Sequence, residues 1–137
     1  MPSHLVILCV DDEKIVTDAL ISQLRSQYGS KCLYEAASDV EEAYEILEDI
    51  AAEGNTLCLV ISDWLMPRTK GDEFLREVHR RDPHIPLILL SGQADDSAIS
   101  ELIRIIPQFE FVRKPWDKPE LMGIVDQMIQ QMLQAAV

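Results

Sequence analysis

Apolar residues occur in short unbroken runs, separated by stretches in which they recur every three or four positions. The runs are Leu5–Val10, Leu57–Ile61 and Pro86–Leu90, with shorter or weaker ones at Lys31–Ala36 and Phe109–Arg113. Runs of this length, rich in β-branched residues and bounded by Asn, Gly or Pro, predict strands. Those that are apolar at every position predict strands covered on both faces. The intervening stretches predict helices. Lys14–Tyr28 carries Ile15, Val16, Ala19, Leu20 and Leu24 at helical spacing, with Gly29 placed to end it. A second helix, capped by Ser38 or Asp39, puts Val40, Ala43, Tyr44, Leu47, Ile50 and Ala51 on one face before Gly54. A third opens at Gly71-Asp72 and stops near Asp82-Pro83, because proline disfavours helix in the residue before it. Asp95–Ile106 and Lys118 to about Ala136 are the fourth and fifth.

Strand followed by helix, five times over, predicts an α/β fold: a doubly wound parallel sheet with right-handed crossovers and helices on both faces. The expectation is one domain over residues 1–137 with its core at about 5–135. In a parallel sheet every strand's C-terminal end lies on one edge, where ligands bind in open α/β folds. Asp11 and Asp12 follow the first strand, Asp63 the third, Ser91 the fourth and Lys114 the fifth, so these residues are expected to meet.

Charge narrows the range of partners. With 24 acidic against 12 basic residues the formal charge is −12, which opposes binding to nucleic acid or to an anionic membrane surface. No apolar run approaches the roughly 20 residues of a membrane span, and Met1-Pro2-Ser3-His4 lacks the basic start of a signal peptide. A cytoplasmic location is expected. Cys9, Cys32 and Cys58 fall inside predicted strands at spacings that match no metal-ligand pattern, and read as small buried thiols. His4, His79 and His84 lie away from the acidic edge, Trp116 reads as a packing anchor, and His79-Arg80-Arg81 reads as a solvated helix end.

Three carboxylates at one edge repel one another, and without a counter-charge at least one should have a raised pKa. A divalent cation relieves this, and oxygen-only ligands suit Mg²⁺ or Mn²⁺ better than zinc. Lys114, the only lysine expected at this edge, supplies a mobile positive charge that pairs with an anion or, when none is bound, with Asp63. Ser91 adds a hydroxyl that can donate to a phosphoryl oxygen. A carboxylate nucleophile, a metal and an ammonium are the parts needed for phosphoryl transfer to Asp.

On these residues the sequence resembles the receiver domain of two-component response regulators: Asp11-Asp12, Asp63 in SDWLMPRTKG, Ser91, and Lys114-Pro115 stand after successive strands in the order that family has. The resemblance runs from about Leu5 to the last helix. It implies a flavodoxin-like fold with strand order 2-1-3-4-5, and Asp63 as the phospho-acceptor, loaded by a sensor histidine kinase or a phosphotransfer domain. It further implies Asp12 as direct metal ligand, Asp11 acting mainly through water, the Leu65 backbone carbonyl and Asp63 completing the Mg²⁺ set, and Ser91 and Lys114 bonding the phosphoryl group. A cis bond is implied at Lys114-Pro115. Phe111 stands where the family has its switching aromatic, although a core Phe on an alternating strand fits there too. Trp64, Leu65 and Gln93 flank the path of an attacking water. Two positions depart from the commoner pattern: Lys70 stands where an Asp is frequent, and Trp116 where Phe or Leu is commoner.

Two other functions are compatible with parts of this pattern: a Mg²⁺-dependent phosphatase or phosphotransferase acting through an aspartyl phosphate, and a pseudo-receiver scaffold that binds partners without phosphorylation. The first needs a general acid near the nucleophile, but two residues after Asp63 stands Leu65. Intact Asp11, Asp12, Asp63 and Lys114 argue against the second. The fourth and fifth helices carry surplus apolar residues. Leu121, Val125, Met128 and Met132 are expected to face the sheet. Met122, Ile129 and Leu133 are expected at a partly exposed margin that would form a homodimer or output surface together with the fourth helix and the fifth strand.

Overall fold

The computed structural model describes residues 4–135. In chain order the elements are β1 (Leu5–Val10), α1 (Lys14–Tyr28), β2 (Cys32–Ala37), α2 (Val40–Ala52), β3 (Thr56–Ser62), α3 (Gly71–Arg81), β4 (Leu87–Ser91), α4 (Asp96–Ile105), β5 (Phe109–Arg113) and α5 (Lys118–Ala135). The strands are parallel and lie in the order β2-β1-β3-β4-β5. The order reverses between β1 and β3, which opens a crevice at their C-terminal ends.

Position in the sheet explains the run lengths. β1, β3 and β4 are covered by helices on both faces and are almost wholly buried, whereas the edge strands β2 and β5 mix buried with exposed residues. One core packs Leu8, Val10, Val60, Leu87 and Leu89 against Ala43, Phe74, Leu75, Val78 and Leu102 of α2, α3 and α4. The other packs Ile7, Cys9, Leu59, Ile61, Ile88 and Leu90 against α1 and α5. Between β1 and β3 the register shifts at Cys58: Val6 pairs with Leu57, but Ile7 pairs with Leu59. One extra residue in a strand reverses which side chains share a face. The shift aligns Val10 with Ser62, so Asp11 and Asp63 leave neighbouring strands side by side.

Helix ends follow the local chemistry. Asp39 caps α2 by accepting from the Glu42 N–H at 2.8 Å, while the Glu42 carboxylate accepts from the Ser38 N–H at 2.7 Å. Gly29 ends α1 at φ 55° and starts a 3-10 turn over Gly29–Lys31, so β2 begins at Cys32 and not at Lys31. β4 likewise begins one residue later than the sequence pattern suggests, at Leu87.

The expected margin of α5 is only partly exposed. Met122 and Ile129 are buried because α1 lies alongside α5, with the Tyr28 hydroxyl donating to Asp126 at 3.0 Å and the Gln27 amide donating to the Met122 carbonyl at 3.3 Å. Leu133 is exposed. The basic end of α3 is tied as well as solvated: Arg80 and Arg81 both bond Glu77, and the Arg81 guanidinium lies 4.5 Å above the Tyr44 ring. Trp116 packs on the α1/α5 core and donates its indole N–H to Gln23 at 2.9 Å. The three cysteines are free and buried. Among the described residues no helix is long and apolar enough to cross a membrane.

Candidate functional site

The C-terminal edge brings together Asp11, Asp12, Asp63, Ser91 and Lys114. Carboxylate oxygens of the three aspartates lie within 4.8 Å of one another. Asp11 and Asp63 are buried, and Asp12 is the exposed member at the rim. Lys114 enters from the end of β5, its Nζ 2.7 Å from Asp11 Oδ2 and 3.5 Å from Asp63 Oδ2. The tighter pairing is thus with Asp11, where the sequence suggested Asp63. Each buried carboxylate keeps a second oxygen on the backbone: Asp11 Oδ1 accepts from the Glu13 N–H at 2.9 Å, and Asp63 Oδ1 from the Trp64 N–H at 2.8 Å.

The electrostatics follow from this crowding. Partial desolvation, then the charges of Asp11 and Asp63, hold the Asp12 carboxyl above the usual carboxylate range. Desolvation pulls Lys114 down, but the hydrogen bond and charge of Asp11 and the charge of Asp63 more than offset it, so its pKa is raised. Three carboxylates therefore face one firmly protonated ammonium.

Ser91 is buried at the tip of β4, and its Oγ accepts from the Gln93 N–H at 3.2 Å. Its carbonyl accepts from the Lys114 N–H at 3.3 Å, which sets the height of Lys114 on the edge. The Lys114-Pro115 bond is cis. Phe111 is half-buried against the core under α4, and the Arg113 guanidinium lies 5.3 Å from its ring centroid and 4.0 Å from Asp96.

The loop from β3 to α3 contributes features that the sequence pattern did not disclose. Gly71 N–H donates to the Trp64 carbonyl at 2.8 Å, folding the loop back on itself. A Cβ on Gly71 would lie 2.0 Å from the Asp63 carbonyl oxygen and 2.8 Å from the Trp64 Cα, so only glycine lets α3 begin so near the acidic residue. The Trp64 indole N–H donates to Asp72 at 3.1 Å, and the Lys70 ammonium lies 4.4 Å from the indole centroid. Arg68 takes a left-handed φ of 69° and bonds Glu41 at 2.8 Å. Leu65 is exposed. Lys114 is therefore not the only lysine here: Lys70 stands beside Trp64, and Lys14, at the start of α1, pairs with Asp18 at 2.9 Å.

This arrangement can be set beside known proteins. The profile of the response regulator receiver domain matches residues 7–126. The chain belongs to the receiver domain family of response regulators. It is similar to a segment of the sensor kinase CckA of Brucella abortus (strain 2308), 34% identical over 125 residues, which are 91% of this chain but 12% of that protein. It is 28% identical over 124 residues to the hydrogenase transcriptional regulatory protein HoxA of Cupriavidus necator, covering 90% of this chain and 24% of that one. The chain thus spans a minor part of both relatives. A response regulator receiver domain protein from Clostridium thermocellum has a similar structure, with a TM-score of 0.80 and 28% identity over 96% of this chain and 98% of that one. Receiver domains are generally signalling modules of two-component systems that interact with histidine kinases or phosphotransfer partners, and they can dimerise. Members typically bind Mg²⁺ at an acidic pocket, and this receiver domain carries such a cluster of aspartates.

Proposed function

We propose that this receiver domain accepts a phosphoryl group on Asp63 from a sensor histidine kinase or a phosphotransfer domain, and that loading changes its affinity for a partner or for itself. The observation that carries this reading is the buried Asp63 carboxylate beside two further carboxylates, with the Lys114 ammonium 3.5 Å away. One free edge of Asp63 faces this group while the backbone holds the other. In the transfer a carboxylate oxygen of Asp63 forms the new bond to phosphorus as the bond to the donor's nitrogen breaks, and the electron pair leaves with the donor imidazole.

The donor set fits a hard divalent cation: three convergent carboxylates, oxygen atoms only, and one of them exposed at the rim. Asp12 would hold Mg²⁺ directly and Asp11 mainly through water, with Asp63 and the Leu65 carbonyl completing the protein ligands; Mn²⁺ suits the same set. When bound, the cation would neutralise the charge shared by the carboxylates and the phosphoryl oxygens. Ser91 would donate its hydroxyl to a phosphoryl oxygen. Lys114 would move its ammonium from Asp11 towards the same group, a short shift for a flexible side chain. The domain spans residues 1–137 in this reading and works in the cytoplasm.

Intact-mass analysis tests the site. Incubation with Mg²⁺ and acetyl phosphate should add one phosphoryl group, lost with EDTA and in Asp63→Asn; label that persists in Asp63→Asn overturns the assignment. The response to loading is expected on α4, β5 and α5, where Phe111 acts as the switching aromatic and Ile103 and Leu133 are exposed. Sedimentation with Mg²⁺ and beryllofluoride should show self-association that Ile103→Glu abolishes. A monomer throughout at tens of micromolar rejects self-association through this face.

A further inference from the structure

We propose that Lys70 is a second cation for the phosphoryl group, resting on the Trp64 indole until a phosphoryl group arrives at Asp63. This rests on the reading of Asp63 as the phospho-acceptor. Geometry places Lys70 close to the acceptor. Its neighbour Gly71 is in backbone contact with the Asp63 carbonyl, leaving no room for a Cβ, so the Lys70 Cα lies one residue's step from the backbone that carries the acceptor. The loop is closed by the Gly71 to Trp64 hydrogen bond and tied at Arg68 to Glu41, so this placement does not depend on the flexible side chain alone.

The ammonium is held, but weakly. It lies 4.4 Å from the indole centroid, and among the described residues it forms no ion pair. The indole is itself tied to Asp72, which accepts its N–H at 3.1 Å, and packs partly against the core, so the cation rests on a supported ring. Lys70 is exposed, so water screens its contact with the ring, and a cation held this way gives way to a fully charged oxygen. Charge supplies the drive. Asp11, Asp12 and an acyl phosphate on Asp63 would together carry about four negative charges, of which a bound Mg²⁺ and the Lys114 ammonium would offset about three. A phosphoryl group adds negative charge, and Lys70 is the adjacent cation not committed elsewhere, since Lys14 is paired with Asp18 and Arg68 with Glu41. A four-carbon stem lets the ammonium swing from the ring to a phosphoryl oxygen without moving the backbone.

At low ionic strength Lys70→Met should be labelled by acetyl phosphate about three- to tenfold more slowly than the native protein, as removal of one nearby charge implies. Lys70→Arg should stay within about threefold of native, and the gap between native and Lys70→Met should narrow as salt screens the charge. In a Trp116→Phe background, Mg²⁺ and beryllofluoride should shift Trp64 emission in the native loop and much less in Lys70→Met. Lys70 is exposed, so these variants should fold, and thermal melting verifies it. Labelling of Lys70→Met at the native rate overturns the proposal. So does slowing that is equal in Lys70→Arg and insensitive to salt, the mark of a packing role. If native protein labels on Asp63 while the Lys70 variants match it, only the role of Lys70 falls. If native protein takes no label, the phospho-acceptor reading falls with it.

Discussion

Asp63 and Ser91 leave neighbouring strands at the same edge, yet their surroundings are built differently. Around Asp63 the backbone is interlocked: Trp64 N–H on its carboxylate, Gly71 N–H on the Trp64 carbonyl, and the first residue of α3 pressed against the Asp63 carbonyl. Around Ser91 the contacts are ordinary. A Cβ on Gly92 would find nothing nearer than 3.9 Å, Phe111 is half-buried, and Arg113 reaches Asp96 only at 4.0 Å. A group that must receive a ligand in one geometry benefits from supports that do not move. A group whose movement reports the ligand needs neighbours that yield at little cost. The β3 side is built as the fixed half of the site and the β4–β5 side as the half that can respond.

The largest expected effect tests the fixed half. Gly71→Ala should cost about 3 kcal/mol in urea denaturation, because backbone atoms must part to admit the methyl group. Gly92→Ala should stay within about 0.5 kcal/mol, since its Cβ would make only ordinary contact with Lys114 and its φ is not strained. Similar costs at the two glycines would erase the contrast between the halves.

Next comes the link between them. Lys114→Met removes the partner of buried Asp11 and should cost about 2 kcal/mol, less than for a fully buried pair because Lys114 is partly exposed. Asp12→Asn should act in the opposite direction and by a smaller amount. Its folded-state pKa is raised, so the folded protein favours the protonated carboxyl, and stability is lost as pH rises through the interval above the ordinary Asp value. Without Mg²⁺ the variant should therefore be more stable than native at pH 7, with the difference fading as the medium is acidified below that value. A less stable Asp12→Asn at pH 7 would show that desolvation and repulsion do not penalise the charged carboxyl at the rim.

The strands and their chemistry could be read from the sequence because apolar runs and the carboxylates, hydroxyl and lysine that end them are local signals. Five strand ends meeting on one edge follow from alternation alone. Gly71 was legible as a helix start but not as the point of contact with Asp63, since the clash that excludes a side chain involves backbone eight residues earlier. Lys70 was visible only as a departure from a pattern; its place on Trp64 depends on how a closed loop turns. Met122 and Ile129 were misplaced for a different reason. A projection of α5 by itself gives one buried stripe, and it cannot include α1, which covers a second flank. The register shift at Cys58 left no mark in an apolar run in which every residue is of one kind.

The three cysteines have a practical consequence. Cys9 and Cys58 have no measurable exposure, and burial pushes both thiols up to about 12, so neither offers a thiolate to an alkylating reagent while the sheet is closed. They lie in the interior strands β1 and β3, beneath Asp11 and Asp63. Their rate of modification in native buffer is thus a clock for the opening of the very strands that carry the site, requiring no engineered probe. Slower modification when Mg²⁺ or a phosphoryl mimic is added would measure, in a single number, how much binding at the edge stiffens the sheet below it.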